Sequence, residues 1–405
     1  MEKMRPLKAL LPVSEATQLL WEETKTVERV VTVPLIEAAG RVLAEDIIAD
    51  SDVPPFPRAA MDGYAVIAED TFGASSQEPR ILKMLEALHA GEVTTTRIER
   101  GQCIQIGTGA PMPEGANAVV IVEETEREGD EVKIYKPVYP GGNVSGRGSD
   151  IALGQKILSQ GQHLNPSRVG VLAALGRAEV RVYDRPKVAV IPSGNEIQQP
   201  GETLRPGAIY DVNSYTLAAL IRQNSCEPVI FPTAEDDPEA VKSTLIKALE
   251  ECDMVVLSGG SSAGERDYMI DAVRELGEIL FHGIAVKPGK PTLGAVVRGK
   301  VVIGMPGYPT SCLTNAYYML TPLLRKMARL SEAQPRRVKG LMTRRVPSVE
   351  GKYHFLTVRV KEGQIEPAFK ESGAITSMAL ADGYVGIPEE VELIEKGEEW
   401  EVILF

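Results

Sequence analysis

The residues Ser258-Gly259-Gly260-Ser261-Ser262-Ala263-Gly264-Glu265-Arg266-Asp267-Tyr268 follow the apolar run Met254-Val255-Val256-Leu257. Small residues let backbone N–H groups converge on an anion, and Met269, Ile270, Val273 and Leu276 recur at helical spacing, so the turn should open a helix. Phosphate or another oxyanion is the expected guest, with Ser258, Gly259, Gly260 and Gly264 forming the turn and Asp267 presenting an acid. An ordinary glycine-rich strand-to-helix turn has the same composition.

Further along, Lys287-Pro288-Gly289-Lys290-Pro291 presents two cations on a restricted turn. Prolines limit φ and glycine permits a tight bend. The net charge is −12, with 56 acidic against 44 basic residues. Such a chain repels anions at long range, so an anion site needs a concentrated local positive field, which Lys287 and Lys290 could supply. A solvated surface loop is the alternative.

Other candidates are single acids and hydroxyls in turns. Asp62 precedes a glycine after a proline-stiffened approach and could bind a cation or a substrate hydroxyl, although Asp-Gly is also a common turn. Thr108 lies between two glycines and could contact phosphate. Asp236-Asp237-Pro238 could chelate a metal, or could simply cap a helix that starts at the proline. Glu196 ends Ser193-Gly194-Asn195-Glu196, and Gly304-Met305-Pro306-Gly307 also follows an apolar run. With Ser258-Gly259-Gly260, that makes three loops in the place where open α/β sheets bind ligands.

The elements that must position these residues are legible in outline. At 405 residues the chain exceeds one ordinary domain, and 43% hydrophobic with 25% charged residues is a globular composition. No apolar run approaches the ~18 residues of a membrane span, and the start lacks a signal-peptide stretch, so the cytoplasm is the expected location. Neither a nucleic acid nor a membrane partner is indicated. Cys103, Cys226, Cys252 and Cys312 form no C-x-x-C pair and are expected as reduced, buried residues, and the four histidines lie singly. Chemistry therefore falls to carboxylates, lysines, hydroxyls and backbone amides.

A short helix is expected over 13–21, capped by Ser14, then a strand over 30–35 and a second short helix over 35–40. Prolines near 54–57 mark one boundary and the glycine-rich 141–150 a second, enclosing short strands that suggest a small β barrel or sandwich. From 187 strands alternate with helices: strand 188–191, helix 214–222, strand 229–231, helix 238–250, strand 254–257. That grammar implies a parallel-rich sheet with crossover helices. After a helix over 313–327, residues 331–405 return to period two and suggest a separate small barrel.

Taken in order, P-P-F-P-R-x-x-M-D-G-Y-A, T-G-A-P-M-P-E-G-A, S-G-N-E, S-G-G-x-S-x-G-E-x-D-Y, K-P-G-K-P and G-x-P-G-x-P make essentially the whole chain resemble the molybdopterin molybdenumtransferases, the MoeA and gephyrin E-domain family. The resemblance implies a multidomain α/β plus β chain, an L-shaped four-domain subunit that forms a homodimer. Its parts would be a discontinuous elongated domain (1–50 with 147–181), a β-rich domain (51–146), a molybdopterin-binding-like three-layer α/β domain (182–330) and a C-terminal β barrel (331–405). It also implies insertion of molybdate into the dithiolene of adenylylated molybdopterin, with release of AMP.

By motif match Asp62, Thr108, Asp150, Glu196, Asp236, Asp267, Lys287, Ser372, Pro306 and Pro309 would line or shape the site. Mg²⁺ would be held by Asp236 and Asp267. Asp62 of one chain is expected to face Asp267 of the other. Departures from the family pattern are Tyr308 where asparagine is common, Gly283 where some members have lysine, and Ser149 in place of a frequent glutamate. These keep tungstate open as the inserted anion. Molybdopterin adenylylation and a non-catalytic dimeric scaffold are the competing functions, and molybdopterin-pathway enzymes are candidate partners.

Overall fold

The structure is a computed structural model that describes residues 10–233, 237–259 and 268–405. It divides into two compact units, one of residues 1–31, 40–42 and 182–405, the other of residues 32–39 and 43–181.

In the larger unit the strands Lys187–Pro192, Met254–Ser258 and Lys300–Met305 read as almost unbroken apolar runs because both of their faces are buried. They lie in a six-stranded sheet with strand order Glu227–Ile230, Lys187–Pro192, Met254–Ser258, Lys300–Met305, Leu293–Val297, Gly277–His282. The first four strands run parallel. Successive side chains point to opposite faces. Val188, Val190, Val256 and Ile303 therefore pack on one side with Leu217 and Ile221 of the helix Asn213–Gln223 and Leu20 of Val13–Glu23. Ala189, Ile191, Val255 and Leu257 pack on the other with Leu245 of Pro238–Glu251 and Val273 of Tyr268–Leu276. The parallel-rich sheet with crossover helices expected from the alternating pattern is present, in the three layers that the resemblance implies.

Asp237 caps the helix Pro238–Glu251, accepting from Ala240 N–H at 2.9 Å, with Pro238 at the first helical position. Asp236 lies outside the described residues. The expected helix over 313–327 begins earlier, as Pro309–Asn315, and passes through a π turn at Ala316–Leu320 before Thr321–Met327. Pro322 has no N–H to return to the carbonyl four residues back, and a π turn absorbs that loss. One capping expectation and one helix expectation fail. Pro12, not Ser14, is the cap of the first helix, and the segment after residue 34 is a single 3₁₀ turn, Leu35–Glu37, capped by Ala38.

Residues 337–404 of the same unit close a five-stranded barrel. Tyr353–Lys361 pairs with Gln364–Pro367 and Gly383–Ile387, and Arg337–Met342 and Glu399–Leu404 complete the ring. Val358, Ile365, Val385 and Val402 fill it. The short strand Val286–Lys287 adds to it in parallel, opposite Tyr353 and His354.

In the smaller unit residues 43–53 pair with 151–162, through Ile47–Ile48 against Lys156–Leu158 and the Val53 to Ile151 bridge. Residues 63–134 form a single six-stranded sheet rather than the expected barrel or sandwich. Its strands bury both faces, Tyr64, Cys103 and Val120 on one and Ala65, Ile104 and Val119 on the other. Among the described residues of the chain, no helix is long and apolar enough to cross a membrane.

His354 ties the barrel to a candidate site loop electrostatically. It is buried, its Nε2 has no partner among the described residues, and burial together with the Lys287 ammonium pushes its pKa from 6.5 down to about 4. Between those two values the unfolded chain binds a proton that the folded chain does not, so stability should rise with pH from about 4 to 6.5. His354→Leu is expected to flatten that rise, by up to roughly 3 kcal/mol in urea unfolding. An unchanged pH profile would contradict the assignment.

Candidate functional site

The parallel strands end in register, with Pro192 opposite Ser258 and Ser258 opposite Met305. Their following loops therefore emerge at one edge of the sheet, where strand order switches from Glu227–Ile230 on one side of Lys187–Pro192 to Met254–Ser258 on the other. There they enclose a cleft of about 890 Å³ whose lining includes Glu196, Ser258, Gly259, Pro306, Tyr308 and Pro309. Gly373, the neighbour of Ser372, also lines it.

Backbone bonds hold these loops together. Ser193 N–H donates to Ser258 O at 2.9 Å, and Gly259 N–H donates to Met305 O at 3.2 Å. The Gly259 amide of the expected anion turn is thus engaged with Met305, while residues 260–267 of that turn lie outside the described residues. Gly259 contributes shape: its φ is +91°, and a Cβ there would come within 2.8 Å of the Ser193 carbonyl oxygen. At Gly194, φ +123°, a Cβ would lie 2.6 Å from a Glu196 carboxylate oxygen, so that acid folds back over a position only glycine leaves open.

Tyr308 stands at the entry of the helix Pro309–Asn315 and is 67% exposed, with its ring beside Gly373. Its exposure argues against a packing role. Ser372 acts through its backbone carbonyl, which accepts from Thr310 N–H at 3.0 Å, while Thr310 Oγ1 donates to Ala374 O at 3.0 Å. The loop carrying Lys287 and Lys290 is anchored by Asn315, whose Nδ2 donates to Gly289 O at 2.9 Å and to Thr292 Oγ1 at 2.7 Å. Pro291 lines the cleft, whereas neither lysine is among its lining residues. Among the described residues neither lysine has an ion-pair partner. Gly260, Gly264 and Asp267 lie outside the described residues.

In the smaller unit Asp62 and Thr108 form a pair. Asp62 Oδ1 accepts from Thr108 N–H at 2.6 Å and from Thr108 Oγ1 at 2.8 Å. The amide first and the hydroxyl second hold the Asp62 carboxyl below its ordinary value, so at neutral pH it is an ionised acceptor and not a proton donor. The Thr108 hydroxyl, expected as a phosphate contact, is spent on Asp62. Gly63 after it starts the strand Gly63–Val66, and a Cβ there would meet Val120 O at 1.9 Å, so this Asp-Gly serves close strand pairing and not a plain turn. Asp150 is exposed, with its N–H donating to Val53 O at 3.0 Å.

Sequence reasoning missed Asp211 and Asn213, buried polar residues that line the cleft immediately after the short strand Ile209–Tyr210. The available signal was Tyr-Asp-Val-Asn at the start of a helix. The buried thiols are inert: burial pushes Cys103, Cys226 and Cys312 up to about 12 and Cys252 to about 11. A second cleft of about 870 Å³ is lined by Trp21, Tyr317, Tyr318, Tyr353, Tyr384 and Trp400 among others. It holds none of the expected site residues and no strand-end loop.

Among the described residues no three His, Cys, Asp or Glu side chains gather to hold a metal ion. Asp236 and Asp267, which the resemblance implies as the Mg²⁺ ligands, both lie outside the described residues.

Three family models match in succession. They are the MoeA N-terminal region (domain I and II) over residues 11–176, the probable molybdopterin binding domain over 189–326, and the MoeA C-terminal region (domain IV) over 339–405. A molybdopterin molybdenumtransferase of Staphylococcus aureus is 31% identical, covering 100% of this chain and 96% of its own. Molybdopterin molybdenumtransferase 2 of Mycobacterium tuberculosis is 35% identical, covering 92% and 95%. A crystal structure of a molybdopterin biosynthesis MoeA protein from Pyrococcus horikoshii superposes with a TM-score of 0.82 at 42% identity, covering 98% of this chain and 99% of that one.

The cleft geometry predicts the effect of a single methyl group. Gly259→Ala places a left-handed, non-glycine residue against the Ser193 backbone and should destabilise the chain by at least about 1–2 kcal/mol. Urea unfolding checks this, and an unshifted midpoint would contradict the close approach.

Proposed function

The chain belongs to the molybdopterin molybdenumtransferase (MoeA) family, and from that membership we propose that it inserts molybdate into the dithiolene of adenylylated molybdopterin and releases AMP, as a step of molybdenum cofactor biosynthesis. The observation that carries the reading is the convergence of three strand-end loops on one cleft large enough for a pterin nucleotide. Ser258, Gly259, Pro306 and Pro309 shape it. Glu196 is an acid on its wall that can accept or return a proton as oxide leaves the metal as water. Lys287 and Lys290 supply positive charge to an acidic protein, and Asp267 presents its acid from the segment that follows Ser258-Gly259-Gly260 in sequence.

Further parts of the reading rest on the family resemblance alone: the homodimer, Mg²⁺ at Asp236 and Asp267, the roles of Asp62, Asp150 and Ser372, the cytoplasmic location and the four-domain division. A mass in solution of twice 43.9 kDa would support the dimer.

Incubating the chain with adenylylated molybdopterin and either molybdate or tungstate should give oxyanion-dependent AMP release and metal incorporation. ATP consumption with metal-free molybdopterin, and no AMP release, would identify an adenylyltransferase instead. The relative rates with the two oxyanions decide which metal is inserted.

Lys287→Ala is expected to weaken oxyanion or phosphate binding by about 1–3 kcal/mol. Lys290→Ala should also weaken it. Binding unchanged in both variants, and insensitive to ionic strength, would remove the lysines from the anion site.

A further inference from the structure

The cleft wall at Asp211-Val212-Asn213 has a polarity of its own. Asp211 is 4% exposed and Asn213 7%. Asp211 Oδ1 accepts from Ser214 N–H at 3.0 Å, which satisfies the first turn of the helix Asn213–Gln223 and answers its partial positive charge. Asn213 Nδ2 donates to the Gly307 carbonyl at 2.8 Å. A carbonyl can only accept, so this bond fixes which way the amide is turned. The two remaining oxygens, Asp211 Oδ2 and Asn213 Oδ1, are buried without a hydrogen-bond partner among the described residues.

Buried acceptors left unpaired are costly, and two on one cleft wall call for donors from elsewhere. Both free atoms are acceptors and one carries charge, so phosphate or molybdate would be repelled here. A ligand that offers more than one N–H donor is complementary. Of the two ring systems in an adenylylated pterin, adenine offers one amine flanked by ring acceptors. The 2-amino-4-oxo pyrimidine ring of the pterin offers an amine beside a ring N–H.

We propose that Asp211 Oδ2 and Asn213 Oδ1 accept from the amino and ring N–H edge of the pterin, which makes these two residues determinants of pterin specificity in the cleft. The assignment rests on the proposed function for the identity of the ligand. It also gives Asn213 a second task, because the amide that reads the ligand also holds Gly307 in the Pro306 to Pro309 loop. Ligand recognition and loop position are thereby joined in one side chain.

The test is isothermal titration of the full chain with pterin, with lumazine, in which a carbonyl acceptor replaces the 2-amino donor, and with MgCl₂. The wild-type chain should bind pterin roughly 10- to 100-fold more tightly than lumazine. Asp211→Asn is isosteric, keeps an oxygen for the Ser214 cap and turns an NH₂ toward the ligand, so the preference should vanish or reverse. Asp211→Ser, which retains a capping hydroxyl, should also lose the preference and serves if the first variant folds poorly. Equal binding of the two pteridines by the wild-type chain, or wild-type preference in both variants, would overturn the assignment. So would loss of Mg²⁺ binding in Asp211→Asn with the pteridine preference intact, which would make the oxygens cation ligands. AMP release from adenylylated molybdopterin is followed in parallel: its absence in the wild-type chain overturns the proposed function, whereas its presence without a pteridine preference overturns this assignment alone.

Discussion

Register along the parallel strands is the constraint on which the cleft depends. Pro192, Ser258 and Met305 lie side by side, so the loops that follow have no choice but to emerge together. The apolar runs enforce that register, because a slip of one residue would exchange the Val188 and Val256 face for the Ala189 and Val255 face. Main-chain bonds then tie the loops across the sheet edge, from Ser193 to Ser258 and from Gly259 to Met305. Side chains are left free for the ligand. Glycine is required at 259 and 194 because both have positive φ, +91° and +123°, and at 259 the Ser193 backbone also occupies the space of a Cβ.

The barrel contributes to the same edge. Thr310 fastens the start of the helix Pro309–Asn315 to Ser372 and Ala374, and Asn315 on that helix holds the turn at Gly289. One helix thus braces both the proline loop and the lysine loop. The lysines remain without an ion-pair partner among the described residues, in a chain of net charge −12. Their field is not cancelled by a bound carboxylate there.

Much of this was legible in the sequence. The strands at 187–192, 254–258 and 300–305 announce themselves as continuous apolar runs, and the helices between them carry clear spacing, so the α/β domain and its ligand edge follow from pattern alone. What was not legible depends on tertiary partners. Ser14 has a capping side chain, but the chain path puts Pro12 in that position. The short strands of 63–134 read as a barrel or sandwich because composition cannot say which edges pair. Thr108 looks like a free hydroxyl until Asp62, distant in sequence, is brought to it. Asp211 and Asn213 look like helix-start residues, and in part they are. Only burial, which leaves one oxygen of each without a partner among the described residues, reveals the remaining capacity.

The central claim is that the pterin nucleotide binds where the three loops converge. Hydrogen exchange measured by mass spectrometry, with and without adenylylated molybdopterin, tests it most directly. The account predicts slowed exchange in residues 193–197, 209–214 and 306–310, with the opposite ends of the same strands unchanged. Protection confined to the aromatic cleft around Trp21, Tyr353 and Trp400, with none at the strand-end loops, would contradict it.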